Sequence, residues 1–142
     1  MVPTQDHTWE QGEDLIVEIV YTVGEDPVDL TTGTFSVRMD IAPLSGTTPG
    51  APVFSFNSDD FDGTLDKTGE TDNEATFPPD LPGTIHIVVP RSLTLPGGVI
   101  GDALGTSNTY GYDLFIRDKD ANTQRKLLKG KIVVNPSITH WA

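Results

Sequence analysis

FSVRMDI, residues 35–41, alternates without a break: Phe35, Val37, Met39 and Ile41 fall on one side, Ser36, Arg38 and Asp40 on the other. Side chains two positions apart share a face only in an extended chain, so this run reads as a β-strand with one buried face. The same period appears just upstream. Leu15, Val17, Ile19, Tyr21 and Val23 share one face there, with Glu18 and Thr22 on the other. Between the two runs lies GEDPVDLTTG, residues 24–33, where Glu25, Asp26 and Asp29 stand close together. Pro27 presets φ and aspartate side chains bond nearby amides, so this stretch is expected to reverse the chain. Leu30 then folds back over the core edge, and the three carboxylates serve the turn rather than a catalytic or cation site.

Further strands are expected at Val53–Phe56, Thr84–Val89, Thr109–Asp118 and Arg125–Val134, with a first strand over Thr4–Trp9. No helical period of useful length competes with them. About seven short strands divided by Gly, Pro, Asp and Asn clusters predict a single domain over 1–142, an immunoglobulin-like antiparallel β-sandwich. DKDANT, residues 118–123, is expected to close a tight hairpin between the last two strands. PRSLTLPGG, residues 90–98, is bounded by prolines too closely for more than one short helical turn. NSDDFDGTLDKTGETDNEAT, residues 57–76, reads as a long acidic loop, and GGVIGDALGTSN, residues 97–108, as an irregular insertion.

The formal net charge of −12 disfavours nucleic acid as a partner. Its distribution is uneven: residues 1–80 hold 17 acids against two bases, residues 81–142 four acids against seven bases. Six of those bases, Arg117, Lys119, Arg125, Lys126, Lys129 and Lys131, crowd the last hairpin. Lysines there either guard an exposed sheet edge or form a basic edge that meets an acidic face of a neighbouring copy or partner. The chain has no cysteine, which excludes disulfides and thiolate metal sites. Its first residues show neither a basic n-region nor an apolar h-region, so no secretory signal is expected, and no apolar run is long enough for a membrane-spanning helix.

Motifs for chemistry are sparse. There is no GxSxG and no glycine-rich loop ending in GK[ST], so no enzyme is expected. Asp118, Asp120 and Asn122 begin like a calcium loop, but Thr123 and Lys129 stand where Gly and a bidentate Glu are required. Asp59, Asp60 and Asp62 are the calcium candidates that remain, as clustered oxygens on one loop. No other metal or cofactor is expected, because His7, His86 and His140 are far apart in sequence and His86 faces outward on its strand. Tyr110 and Tyr112 open a strand where core or corner packing is expected, with a ligand platform as the alternative. Trp9 and Trp141 lie near opposite chain ends. In a sandwich the first and last strands run side by side, so the two indoles either cluster as an exposed contact patch or cover the rim of their own core.

Three segments in order carry a resemblance: WEQGEDLIVEIVYTVGEDPVDLTTGTFSVRMDIA (residues 9–42), GTIHIVVPRSLT (83–94) and YGYDLFIRDKDANTQRKLLKGKIVVNPSIT (110–139). Together they resemble small tailed-phage virion proteins, and in particular the N-terminal immunoglobulin-like domain of the baseplate upper proteins of phages infecting lactic-acid bacteria. The shared features are QGED before the first long strand, PVDLT in the turn, YDL on the penultimate strand, and LLKGKIVV followed by PSIT. In that family the domain is a docking module with no catalytic residue to carry over. The resemblance implies a virion protein made in host cytoplasm and present in several copies. Its implied partners are other structural proteins of the tail, the baseplate or, for a capsid decoration (cement) protein, the major capsid protein. The insertion at residues 97–108 departs from the family pattern, and so does the lack of a fibre or coiled-coil extension after the domain, which points to a small adaptor or decoration subunit. A calcium-assisted module binding host-surface glycans is the reading from a different class.

Overall fold

The computed structural model describes residues 2–30, 35–57, 74–76, 82–104 and 108–137. Most of these residues are in strands, and the only helical elements among them are two 3-10 turns, Arg91–Leu93 and Gly101–Ala103. The chain is all-β. In order the strands are β1 (His7–Glu10), β2 (Leu15–Val20), β3 (Thr22–Val23), β4 (Asp26–Pro27), β5 (Phe35–Ser45) and β6 (Thr48–Pro49). Then follow β7 (Phe54–Asn57), β8 (Glu74–Thr76), β9 (Thr84–Val89), β10 (Thr109–Asp118) and β11 (Thr123–Asn135).

The larger sheet runs β1-β11-β10-β5-β6, with β7 also paired to β5; the smaller runs β2-β9-β8. One hydrophobic cluster takes side chains from both. Val17, Ile85 and Ile87 come from the small sheet, while Met39, Leu114 and Ile132 come from the large one, and none of the six is more than 0% exposed. The alternation read from sequence is the cause. On β10, Tyr110, Tyr112, Leu114 and Ile116 are buried, and on β5, Val37, Met39 and Ile41 are buried beside them. The insertion at residues 97–108 also feeds this core, through Ile100 and Leu104.

Within GEDPVDLTTG, the described residues 24–30 begin with the expected turn, and a tighter one than the stretch's length suggests. Thr22 pairs with Pro27 and Val23 with Asp26, leaving Gly24 and Glu25 as a two-residue loop. Gly24 takes φ +66, which a tight hairpin requires and a side chain resists. Leu30 is 2% exposed and packs in the core. Val23, however, leaves the inward face on which its parity would put it. The strand stops at Val20, the chain turns, and Val23 is 63% exposed.

Two other expectations change. The large sheet is mixed rather than antiparallel, because β1 pairs in parallel with β11, His7 opposite Ile132 and Trp9 opposite Val134. First and last strands need no hairpin between them, so either direction is open to them. Trp9 is also no surface patch: it is 1% exposed, and its indole Nε1 donates to the Glu13 carbonyl at 2.6 Å. Trp141 lies outside the described residues.

A buried polar clamp ties β1 to the rest. Gln11 Nε2 donates to the Thr94 carbonyl at 2.7 Å, while its Oε1 accepts from Ser137 N at 3.0 Å. Gly12 N donates to Thr94 Oγ1 at 2.9 Å. QGED, PRSLT and Ser137 of PSIT, far apart in sequence, therefore meet at one point.

His7 makes β1 sensitive to acid. Its ring lies 5.5 Å from that of Tyr112, and its Nε2 is buried with no hydrogen-bond partner among the described residues. Burial lowers its pKa below the ordinary 6.5, with Asp6 acting weakly the other way. A base with a lowered folded pKa takes its proton first in the unfolded state, so stability falls as pH drops through 6.5 toward the folded pKa. Thermal melts compared between about pH 7.5 and about pH 5.5 should show wild type losing more stability than His7→Phe. Parallel curves for the two proteins would contradict this.

Candidate interaction surface

The outward face of the large sheet follows from the same register. Opposite the buried row of β10, Gly111, Asp113, Phe115 and Arg117 point away from the core. Their rung partners on β5 are Ala42, Asp40, Arg38 and Ser36. On β11 the corresponding residues are Lys131, Lys129, Lys126 and Gln124.

Three lysines on one face is not what strict alternation gives. Lys129 and Lys131 share parity, but Lys126 has the other. The register shifts between Leu114 and Phe115: Leu114 faces Leu128, while Phe115 faces Lys126. Leu127 is the extra residue of a β-bulge. It lets Leu127 and Leu128, adjacent in sequence, both bury, at 7% and 4% exposure, and it brings Lys126 round to join the other two.

Two adjoining concavities occupy this face and share Asp40 and Asp113. The larger, of about 690 Å³, is a trough across the strands. Thr4 and Asp6 of the N-terminal segment form one wall, Pro49 and Pro52 the other, and Ala42 and Gly111 line it between them. Gly111 matters because a Cβ there would stand 2.9 Å from a methyl of Leu44, so any side chain would push into the trough or displace that leucine. The smaller concavity, of about 340 Å³, lies toward the hairpin end, around Arg38, Phe115 and Arg117.

Its charges are partly paired. Arg38 Nε meets Asp40 Oδ1 at 3.2 Å, and Lys126 Nζ meets Asp113 Oδ2 at 3.6 Å while standing 5.3 Å from the Phe115 ring centroid. Asp6 Oδ1 accepts from the backbone of Lys131 at 2.9 Å. Arg117, Lys129 and Lys131 have no ion-pair partner among the described residues. On a chain of net charge −12, this face is locally basic.

Four of the expected contact bases, Arg117, Lys126, Lys129 and Lys131, thus share one surface. Arg125 sits opposite Ile116, off that face, and Lys119 at the hairpin tip. Their company was missed in the sequence. Asp40, Asp113 and Gly111 are all in the outward parity of their strands, and Asp6 directly precedes β1, but that face looked like plain solvated surface.

Tyr110 and Tyr112 are 1% and 5% exposed, so the ligand-platform reading gives way to packing. Burial and the Asp6 carboxylate push the Tyr112 phenol up to about 12, and its hydroxyl donates to the Gln5 carbonyl at 2.6 Å, holding the trough wall in place. Asp118 Oδ1 accepts from the amides of Asp120 and Ala121, at 3.0 and 3.3 Å, the turn bonding expected of that hairpin. Asp59, Asp60, Asp62 and His140 lie outside the described residues. Among those described, no three His, Asp or Glu side chains converge as a metal site. His86 faces outward and pairs with Glu18 at 2.9 Å. No helix among the described residues is long and apolar enough to cross a membrane.

No family model matches this chain, and no curated protein does.

Deleting Leu127 removes the bulge and one core leucine, while Lys126, now next to Leu128, keeps its outward place opposite Phe115. The variant should lose at least the roughly 2–5 kcal/mol of a buried leucine, read from urea denaturation. A deletion variant as stable as wild type would refute the part assigned to the bulge.

Proposed function

We propose that this chain is a non-enzymatic structural protein of a tailed-phage virion. In this reading it is an immunoglobulin-like β-sandwich that docks in several copies at the tail or baseplate through protein–protein contacts. The observation that carries the reading is the meeting of the motif segments. QGED, PRSLT and PSIT, which bear the resemblance to baseplate domains, join through Gln11 and Thr94 in one buried clamp. Residues that fix each other across a fold form a set, and a set is harder to match by chance than separate turn motifs. The trough adds a surface suited to docking, with small and apolar residues at its centre and charges of both signs around them.

A glycan-binding module would use exposed aromatic rings, and the burial of Tyr110 and Tyr112 counts against it. A capsid decoration role would use the same docking chemistry at another address. Immunogold labelling or cryo-electron microscopy of intact particles separates the two. Density for this chain at the tail or baseplate is expected. Density on the head alone would reassign it to the capsid, and particles lacking the chain would overturn the virion reading.

A further inference from the structure

The small sheet carries a surface that answers the trough. β2 is its edge strand among the described residues, and its outward side chains are Ile16, Glu18 and Val20. The β3–β4 hairpin continues the strip with Val23, Glu25 and Asp26. Ile16, Val20 and Val23 are 54%, 53% and 63% exposed, three of the five large hydrophobic side chains found exposed among the described residues. Carboxylates stand between them, and of these Glu18 is held by His86. Acid and apolar groups alternate on this strip, whereas the trough sets three lysines among three aspartates and apolar residues, with Asp40 and Asp113 already held by Arg38 and Lys126.

We infer that the trough of one copy receives the β2–β4 strip of a second copy, in a head-to-tail contact. This rests on the docking role proposed above and names a second copy of the chain as its partner. Three observations favour a second copy over a foreign one. The charge signs oppose, with Lys129 and Lys131 free of ion pairs among the described residues on one side and Glu25 and Asp26 exposed on the other. Both surfaces place apolar groups amid the charge, the trough through Ala42, Leu44 and Pro49, the strip through its three aliphatics. They also lie on different sheets of one molecule, so a copy can offer its strip to one neighbour while its trough takes another. Such a heterologous contact repeats into a ring, or a filament if the rotation does not close.

A charge swap tests this. Lys129→Glu/Lys131→Glu reverses the trough, and Glu25→Lys/Asp26→Lys reverses the strip; all four side chains are exposed. Wild type should self-associate in sedimentation velocity at low ionic strength, at least about tenfold more tightly near 0.05 M salt than near 0.5 M, where the screening length is far shorter. Each double variant, with an unchanged melting temperature, should be monomeric. Mixed in equal amounts they should associate again, because the acidic trough of one then meets the basic strip of the other. If a double variant fails to fold, the milder Lys131→Gln and Glu25→Gln replace it, each expected to weaken association severalfold.

Wild type that stays monomeric at low salt, variants that associate alone, or a mixture that does not recover would each overturn the contact. Binding of the trough only to another virion protein or to an acidic glycan would do the same. The virion reading fails separately, by absence of the chain from particles. A monomeric protein found in particles would sink this contact and leave that reading standing.

Discussion

One extra residue governs the outer face of this protein. In KLLKGK, residues 126–131, strict alternation would bury Lys126 alongside Leu128 and expose Leu127 beside Lys129 and Lys131. The bulge at Leu127 breaks the period once. Two leucines then reach the core, three lysines share the solvent side, and no charge is buried. Because β11 lies between β1 and β10, the shift is fixed from both sides: by the parallel ladder to His7–Glu10 and by the antiparallel ladder to Thr109–Asp118. A register error there would place an amine in the core, at a cost that burial of one leucine cannot offset.

The trough depends on that register and on small residues at its centre. Ala42 and Gly111 face each other across β5 and β10, on the rung that ends at Lys131. Larger side chains at these places would level the surface. Its N-terminal wall is held by hydrogen bonds from the rest of the fold. Tyr112 bonds Gln5, Asp6 bonds the backbone of Lys131, and Gln5 and Lys129 join through their main chains. The core thus shapes the surface, since the tyrosine that fills the interior also positions the trough edge.

Much of this was legible in the sequence, and what was missed has physical causes. β5 and β10 read cleanly because an unbroken period of two leaves no rival to a half-buried strand. GEDPVDLTTG read as a turn from Pro27 and its aspartates, though the two-residue hairpin at Gly24 did not, since its pairing is long in consequence but only two residues deep. The bulge stayed hidden because LL looks like ordinary core. From its nearness to the chain end Trp9 read as either an exposed contact or a cover for the core rim; parallel pairing with β11 carries it into the core. Direction of a first strand is set by tertiary neighbours, and local sequence holds no record of it. The six bases read together as one basic edge of the last hairpin; which of them share a face needed the parity shift to be known.

The docking surface proposed for this chain is the outer face of the large sheet. Reactivity of Lys126, Lys129 and Lys131 toward an acetylating reagent, compared between the purified chain and intact particles, tests this most directly. Strong protection of Lys129 and Lys131 in the particle is expected, with Lys119 at the hairpin tip modified equally in both. Equal reactivity of all these lysines, free and assembled, would contradict it.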